Sequence, residues 1–312
     1  MHTLSFKHND QMPILGLGTF RSEPKAVYTA VLEALKMGYR HIDCAAAYGN
    51  EKEVGKAISE AIDSGVVTRE ELWITSKLWS DSHGMDNVQP ALVNTLKDLQ
   101  LDYLDLYLVH WPVAFKKGVE MPEKADQFIP LEEVPLTDTW AGMEAALEKG
   151  LVKHIGVSNF NTQYLKALLE TAKQKPEVNQ IEVHPFLQQD TLVDFCKQVG
   201  IHLTAYAPIG SGGAEDDALN LFKNGVLLEI AQAHGKTVAQ VALKWGIQRG
   251  ISVIPKSTNV SRLQENLDTL KFELSATDME KIAALNKDHR FVDAKFWEVE
   301  GGPYTAEEIW NA

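Results

Sequence analysis

Eight short apolar runs alternate with amphipathic stretches of helical period along 312 residues, and no linker or charge block divides the chain. The sequence therefore predicts an α/β protein, a closed (β/α)8 TIM barrel spanning residues 1–312 as a single domain. An N-terminal hairpin is expected at its base and extended loops at its mouth. Length alone also allows two doubly wound domains, which the missing boundary disfavours.

The hairpin is read from Leu4-Ser5-Phe6 and Met12-Pro13-Ile14-Leu15 around the turn-prone Asn9-Asp10. The barrel strands are expected at Ile14–Gly18, Tyr39–Asp43, Leu72–Lys77, Leu104–His110, Val152–Val157, Glu177–Val183, His202–Tyr206 and Ser252–Pro255. They are short, bounded and apolar, as strands covered on both faces must be. Helices are expected between and after them at Pro24–Met37, Glu51–Ser64, Asp86–Leu99, Leu136–Lys149, Thr162–Ala172, Asp190–Val199, Val226–His234 with Val238–Arg249, and Ser261–Leu267. Pro24 suits a first turn, and Gly38, Gly65, Gly150 and Gly200 follow helix ends. A minimal barrel needs about 250 residues; the surplus falls in Pro112–Pro135, Ile209–Gly225 and the tail beyond Asn286.

Composition narrows the function. A hydrophobic share of 45% and a charged share of 23% describe a folded globular chain. The net charge of −13 repels phosphate backbones and anionic membranes, so neither nucleic acid nor membrane is an expected partner. The two cysteines, Cys44 and Cys196, and the lack of an apolar leader point to a cytoplasmic setting without a Cys-rich metal framework.

In such a barrel the reacting groups stand where strands end. Asp43 ends the second strand and is followed closely by Tyr48; Lys77 ends the third and His110 the fourth. A Tyr hydroxyl of ordinary pKa about 10 can give up a proton near neutrality if an ammonium lowers that value, which Lys77 is expected to do. Asp43 would hold Lys77 charged, and His110 would orient a substrate oxygen beside Tyr48. Glu182 and His184, ending the sixth strand, resemble two metal ligands, but no paired ligand spacing completes a set and no metal is expected.

Two glycine-rich stretches differ in weight. Gly16-Leu17-Gly18-Thr19-Phe20-Arg21 follows a strand but has Arg21 where a dinucleotide fingerprint needs its third Gly. Pro208-Ile209-Gly210-Ser211-Gly212-Gly213 can bring N–H groups to a phosphate or simply form a loop. Lys256 and Arg262, near a helix start, can make a local anion site in an acidic chain or simply belong to a solvated strand-to-helix turn.

Taken together, Gly16–Thr19, Asp43–Glu51, Ile74–Lys77, Asp102–Pro112, Gly156–Phe160, Asn179–Glu182 and Ile254–Ser257 make the chain resemble the aldo-keto reductase superfamily over nearly its full length. The likeness is greatest to the aldose, aldehyde and xylose reductase-like branch. The resemblance implies NADPH-dependent reduction of aldehydes or ketones, with NADH as an alternative cofactor and with Asp43, Tyr48, Lys77 and His110 as the catalytic set. It implies that Ser158, Asn159 and Gln180 hold the nicotinamide carboxamide, that Tyr206 stacks on the ring, and that Gly18, Thr19 and Asp43 line the cofactor site. Ala207, Pro208, Ile209, Gly210 and Ser211 would pass over the pyrophosphate. Ile254, Pro255, Lys256, Ser257, Thr258, Asn259, Arg262, Glu265 and Asn266 would enclose the 2′-phosphate and adenine. The substrate pocket would be lined by Phe20, Trp79, Trp111, Phe296 and Trp297 beside Tyr48 and His110. Phe20 replaces a frequent Trp, and Ala207-Pro208-Ile209 replaces a frequent Ser-Pro-Leu. The resemblance further implies a small-molecule carbonyl substrate and a monomer or weak dimer, and it admits a cofactor-sensing partner protein as the non-enzymatic alternative.

Overall fold

The computed structural model describes residues 2–210 and 216–311. The chain opens with β1 (Thr3–Ser5) and β2 (Gln11–Pro13), paired antiparallel with Leu4 opposite Met12. Eight parallel strands follow: β3 (Leu17–Gly18), β4 (His41–Asp43), β5 (Trp73–Leu78), β6 (Leu104–Val109), β9 (Val152–Ser158), β10 (Val178–Glu182), β11 (His202–Tyr206) and β12 (Ser252–Val253). Between β6 and β9, the antiparallel pair β7 (Ala114–Phe115) and β8 (Phe128–Ile129) occupies the surplus loop.

The parallel sheet closes on itself. Gly16 N–H donates to Val253 O at 2.9 Å, Val253 N–H to Ile14 O at 2.8 Å and Gly18 N–H to Pro255 O at 3.3 Å, joining the first strand to the last. This explains the decoy glycines: a Cβ on Gly16 would lie 2.7 Å from the His41 ring, and one on Gly18 would lie 2.7 Å from Ile254 O. These close approaches let the seam close, a role that needs glycine at both positions. Gly16→Ala is expected to destabilise the protein by about 1–3 kcal/mol through overpacking, measured as a lower urea midpoint with an unchanged denaturant slope.

The helices shield the outer face: α1 (Pro24–Met37), α2 (Glu51–Asp63), α3 (Met85–Leu99), α4 (Leu136–Glu148), α5 (Thr162–Thr171), α6 (Asp190–Val199), α7 (Gly225–His234), α8 (Val238–Gln248) and α9 (Val260–Leu267). Residues such as Ile42, Ile74, Leu78 and Val157 pack outward against Val31, Val54, Leu92 and Leu168 in one continuous core. Strand alternation sends the other residues inward. At the base, Met12, Trp73, Leu106, Leu108 and Val178 meet Leu4 and Phe6, so the hairpin plugs the barrel floor. Higher up the same strands the interior becomes polar, with His41 and Thr75 and then Asp43 and Lys77.

Two helices were not expected. α10 (Ala276–Ala283) starts at a reciprocal capping box of Ser275 and Asp278, a signal that the sequence does carry. α11 (Ala306–Asn311) lies in the tail; buried Ile309 packs there with Trp111 and Trp297, giving the loop and tail a common apolar cluster.

Candidate active site

The four strand-end groups converge at the mouth. Lys77 is fully buried, and its Nζ donates to Asp43 Oδ1 at 2.5 Å, Cys44 O at 2.7 Å and Tyr48 Oη at 3.3 Å. All three ammonium donors are therefore engaged. Asp43 Oδ2 accepts from Gln180 Nε2 at 2.7 Å, tying β4 to β10 across the barrel interior. Tyr48 sits in the 3-10 turn Ala46–Tyr48, which carries its ring to 5.9 Å from that of His110.

The electrostatics correct one expectation. Burial pushes the Tyr48 hydroxyl up to about 12, and the Lys77 ammonium only partly opposes that rise. Tyr48 therefore holds its proton firmly rather than being poised near neutrality. Burial acts to lower the pKa of Lys77, but the charges and hydrogen bonds of Asp43 and Tyr48 outweigh it and the ammonium is stabilised. Burial, reinforced by Lys77, pushes His110 well below the ordinary imidazole range, so its ring is neutral. Its Nδ1 is buried with no partner among the described residues.

Beside these groups Ser158 Oγ donates to Gln180 O at 2.9 Å, and Asn159 Nδ2 donates to His110 O at 3.0 Å. Asn159 has φ 63°, and its Oδ1 accepts from Tyr206 Oη at 2.7 Å. Ser158, Asn159, Gln180 and Tyr206 thus form one chain of contacts leading to Asp43. Ala207, Pro208, Ile209 and Gly210 continue from Tyr206, with Gly210 N–H bonded to Ala207 O at 2.8 Å; Ser211 lies outside the described residues.

The residues expected to form an anion site lie across the seam. Lys256 bridges to Gly18 in the closing ladder, which places Ile254, Pro255 and Thr19 close to it in the fold. Asn259 caps α9, its Oδ1 accepting from Arg262 N–H at 3.1 Å, and Ser257 Oγ accepts from Asn259 N–H at 3.1 Å. Thr258, Lys256 and Arg262 are exposed, and no ion pair among the described residues engages either cation. Glu265 is held by Thr237 Oγ1 at 2.8 Å, while Asn266 is buried. Two free cations at a helix start suit an anionic group.

The aromatic residues divide into rim and packing. Phe20 is 50% exposed with its ring 5.0 Å from Tyr48, and Phe296 is 42% exposed. Trp79 stands 5.2 Å from His110. Trp297 is fully buried, 5.8 Å from Trp79 and 5.9 Å from Trp111, and supports the wall from behind. Tyr304, which the sequence did not single out, donates to Ile129 O at 2.6 Å and accepts from Ala114 N–H at 3.0 Å, locking the tail to the β7–β8 loop.

Glu51 is a further buried group that sequence reasoning did not assign a role. It accepts from Ser76 Oγ at 2.5 Å and Thr95 Oγ1 at 3.1 Å, next in sequence to the strand position of Lys77. Burial outweighs these hydrogen bonds and raises its carboxyl to about 7. Below the unfolded value, about 4.3, both states hold the proton. As pH rises to 7 the unfolded chain ionises first, so the stability that the neutral carboxyl supports is lost across that interval. Glu51→Gln stays neutral and is expected to raise Tm above wild type at about pH 8, with the gap shrinking toward pH 5. An equal gap at both pH values would refute the assignment.

A sequence profile of the aldo/keto reductase family matches residues 14–287. An aldo/keto reductase of Synechocystis sp. is 48% identical over 100% of this chain and 97% of its own. Aldo-keto reductase family 1 member A1 of Mus musculus is 45% identical over 90% of this chain and 88% of its own. The aldose reductase of Schistosoma japonicum superposes with a TM-score of 0.88 at 40% identity, covering 95% of this chain and 96% of that one. The chain belongs to the aldo/keto reductase family. It is an oxidoreductase of carbonyl compounds that depends on a nicotinamide cofactor. Among the described residues no helix is long and apolar enough to cross a membrane.

Proposed function

We propose that the protein reduces aldehydes or ketones to alcohols with NADPH, Tyr48 supplying the proton. The observation that carries this reading is the placement of the buried Lys77 ammonium between Asp43 and Tyr48 Oη. When bound, the reduced nicotinamide supplies a hydride from C4 to the carbonyl carbon. Tyr48 Oη gives its proton to the carbonyl oxygen, and the tyrosinate so formed is stabilised by Lys77 until solvent restores the proton. Asp43 keeps Lys77 charged, and neutral His110 orients the substrate oxygen toward Tyr48.

Ser158, Asn159 and Gln180 would hold the carboxamide, with Tyr206 against the ring. Lys256 and Arg262 favour the phosphorylated cofactor, because only it offers a dianion to both cations. We also propose that the chain acts as a single domain and works in a reducing, cytoplasmic setting, which the free, buried Cys44 and Cys196 favour. The test is loss of reduced-nicotinamide absorbance with aliphatic, aromatic and sugar aldehydes. Turnover that prefers NADPH supports the reading; tight NADPH binding without turnover on any carbonyl would favour a cofactor-sensing partner protein.

A further inference from the structure

Glu182 and His184, the pair that mimics metal ligands in the sequence, serve a different purpose. Both are fully buried. Glu182 Oε1 accepts from His184 Nε2 at 2.8 Å and from Phe291 N–H at 2.8 Å, while Oε2 accepts from Val292 N–H at 2.9 Å. A carboxylate removed from water is costly unless such donors satisfy it. Two of its three partners are backbone amides of the tail, over a hundred residues away.

The loop after β10 is a dock for that tail along its length. Lys287 N–H and His289 N–H both donate to Phe186 O at 3.1 Å. Gln189 Nε2 donates to Glu182 O at 2.6 Å, and Gln189 Oε1 accepts from Arg290 Nη2 at 3.0 Å. The Arg290 guanidinium lies 4.0 Å from the centre of the Trp310 ring.

Phe291 links this dock to the segment that follows Tyr206. Its ring is 5.0 Å from His184 and 4.9 Å from His289. It also abuts Gly210, where φ is 70° and a Cβ would lie 3.0 Å from Phe291 Cε2 and 2.7 Å from Leu221 Cδ1. A few residues further on, the same tail supplies Phe296 and Trp297 to the mouth. One side chain therefore touches the segment proposed to cover the pyrophosphate while its own backbone fixes the origin of the substrate wall.

We propose that Glu182 and Phe291 are positioning residues that couple the substrate wall to the cofactor-covering segment, so that NADPH and a bulky carbonyl substrate strengthen each other's binding. The inference rests on the cofactor reading given above. Fixing Phe291 from either side leaves less for the second ligand to order, and linkage makes that gain reciprocal.

The test uses the full-length protein with propanal and 1-naphthaldehyde as small and bulky substrates, together with stopped-flow fluorescence of NADPH dissociation. Glu182→Gln leaves one good acceptor oxygen where two served the tail, and Phe291→Ala removes the ring; both should speed NADPH release about fivefold or more. Both should raise KM for 1-naphthaldehyde by a similar factor while KM for propanal stays within about twofold. Phe291→Leu, which keeps apolar contact, should restore most of the loss. Gly210→Ala presses on Phe291 from the opposite side and should raise the 1-naphthaldehyde KM although it stands outside the wall; it decides the matter if Glu182→Gln does not fold. Folded variants with unchanged NADPH release, or with both aldehydes shifted alike, would overturn the coupling. Wild-type turnover that needs Tyr48 alongside such a negative result would overturn the coupling alone; no NADPH binding by the wild type would overturn the cofactor reading with it.

Discussion

Tyr48→Phe is expected to lower kcat by about 10²–10⁴-fold, the usual worth of a positioned general acid, while NADPH affinity stays near wild type. The substitution removes one oxygen and keeps the ring, so its contact with Phe20 survives. Lys77 loses its longest hydrogen bond, at 3.3 Å, but retains Asp43 and the Cys44 carbonyl. The buried ion pair therefore stays satisfied, and the loss reports the missing proton rather than a collapsed site. Single-turnover absorbance and NADPH fluorescence titration separate the two quantities; persistent turnover would show that another group protonates the carbonyl. Because burial raises Tyr48 to about 12, the hydroxyl stays loaded with its proton throughout the neutral range.

Lys256→Ala and Arg262→Ala should each weaken NADPH by about tenfold to hundredfold, the equivalent of a charged hydrogen bond of about 1.5–3 kcal/mol. NADH affinity should change far less. Both cations are exposed beside the α9 start, and neither has a competing carboxylate in an ion pair among the described residues. Removing either one leaves no local anion unpaired, so the loss is confined to ligands that carry the phosphate. Dissociation constants measured for both cofactors decide the point, and equal weakening of the two would place the phosphate elsewhere.

Much of this architecture is legible in the sequence. β11 spans His202–Tyr206 as expected, and the other barrel strands lie within a few residues of their expected bounds, because doubly covered strands must be short apolar runs. The last strand is shorter than expected: its regular ladder ends at Val253, and beyond it only single backbone bonds at Ile254 and Pro255 and an isolated bridge at Lys256 continue the pairing. Asp43, Lys77 and His110 were readable because a barrel sends its strand ends to one mouth. The direction of the Tyr48 shift was not readable, since sequence names the neighbouring ammonium but not the depth at which both lie. The contact of Glu182 with the tail is hidden for a related reason: beside His184 its partners are the backbone amides of Phe291 and Val292, and a backbone donor leaves no residue-type signature. α10 has only its capping box of Ser275 and Asp278 as a local signal.

The closing ladder between Ile14–Gly18 and Val253–Lys256 also bears on how the molecule comes into being. Its two edges are separated by over two hundred residues, so an emerging nascent chain carries an open sheet edge until nearly all of it has left the ribosome. Thr19 and Lys256 lie on opposite banks of that junction, and the proposed cofactor pocket is assembled only when they meet. A chain stalled before residue 250 would hold Asp43, Tyr48, Lys77 and His110, yet lack the last strand and both cations. Synthesis and competence are thereby tied together: on the proposed cofactor reading, a truncated chain would lack the cations that pair with the phosphate.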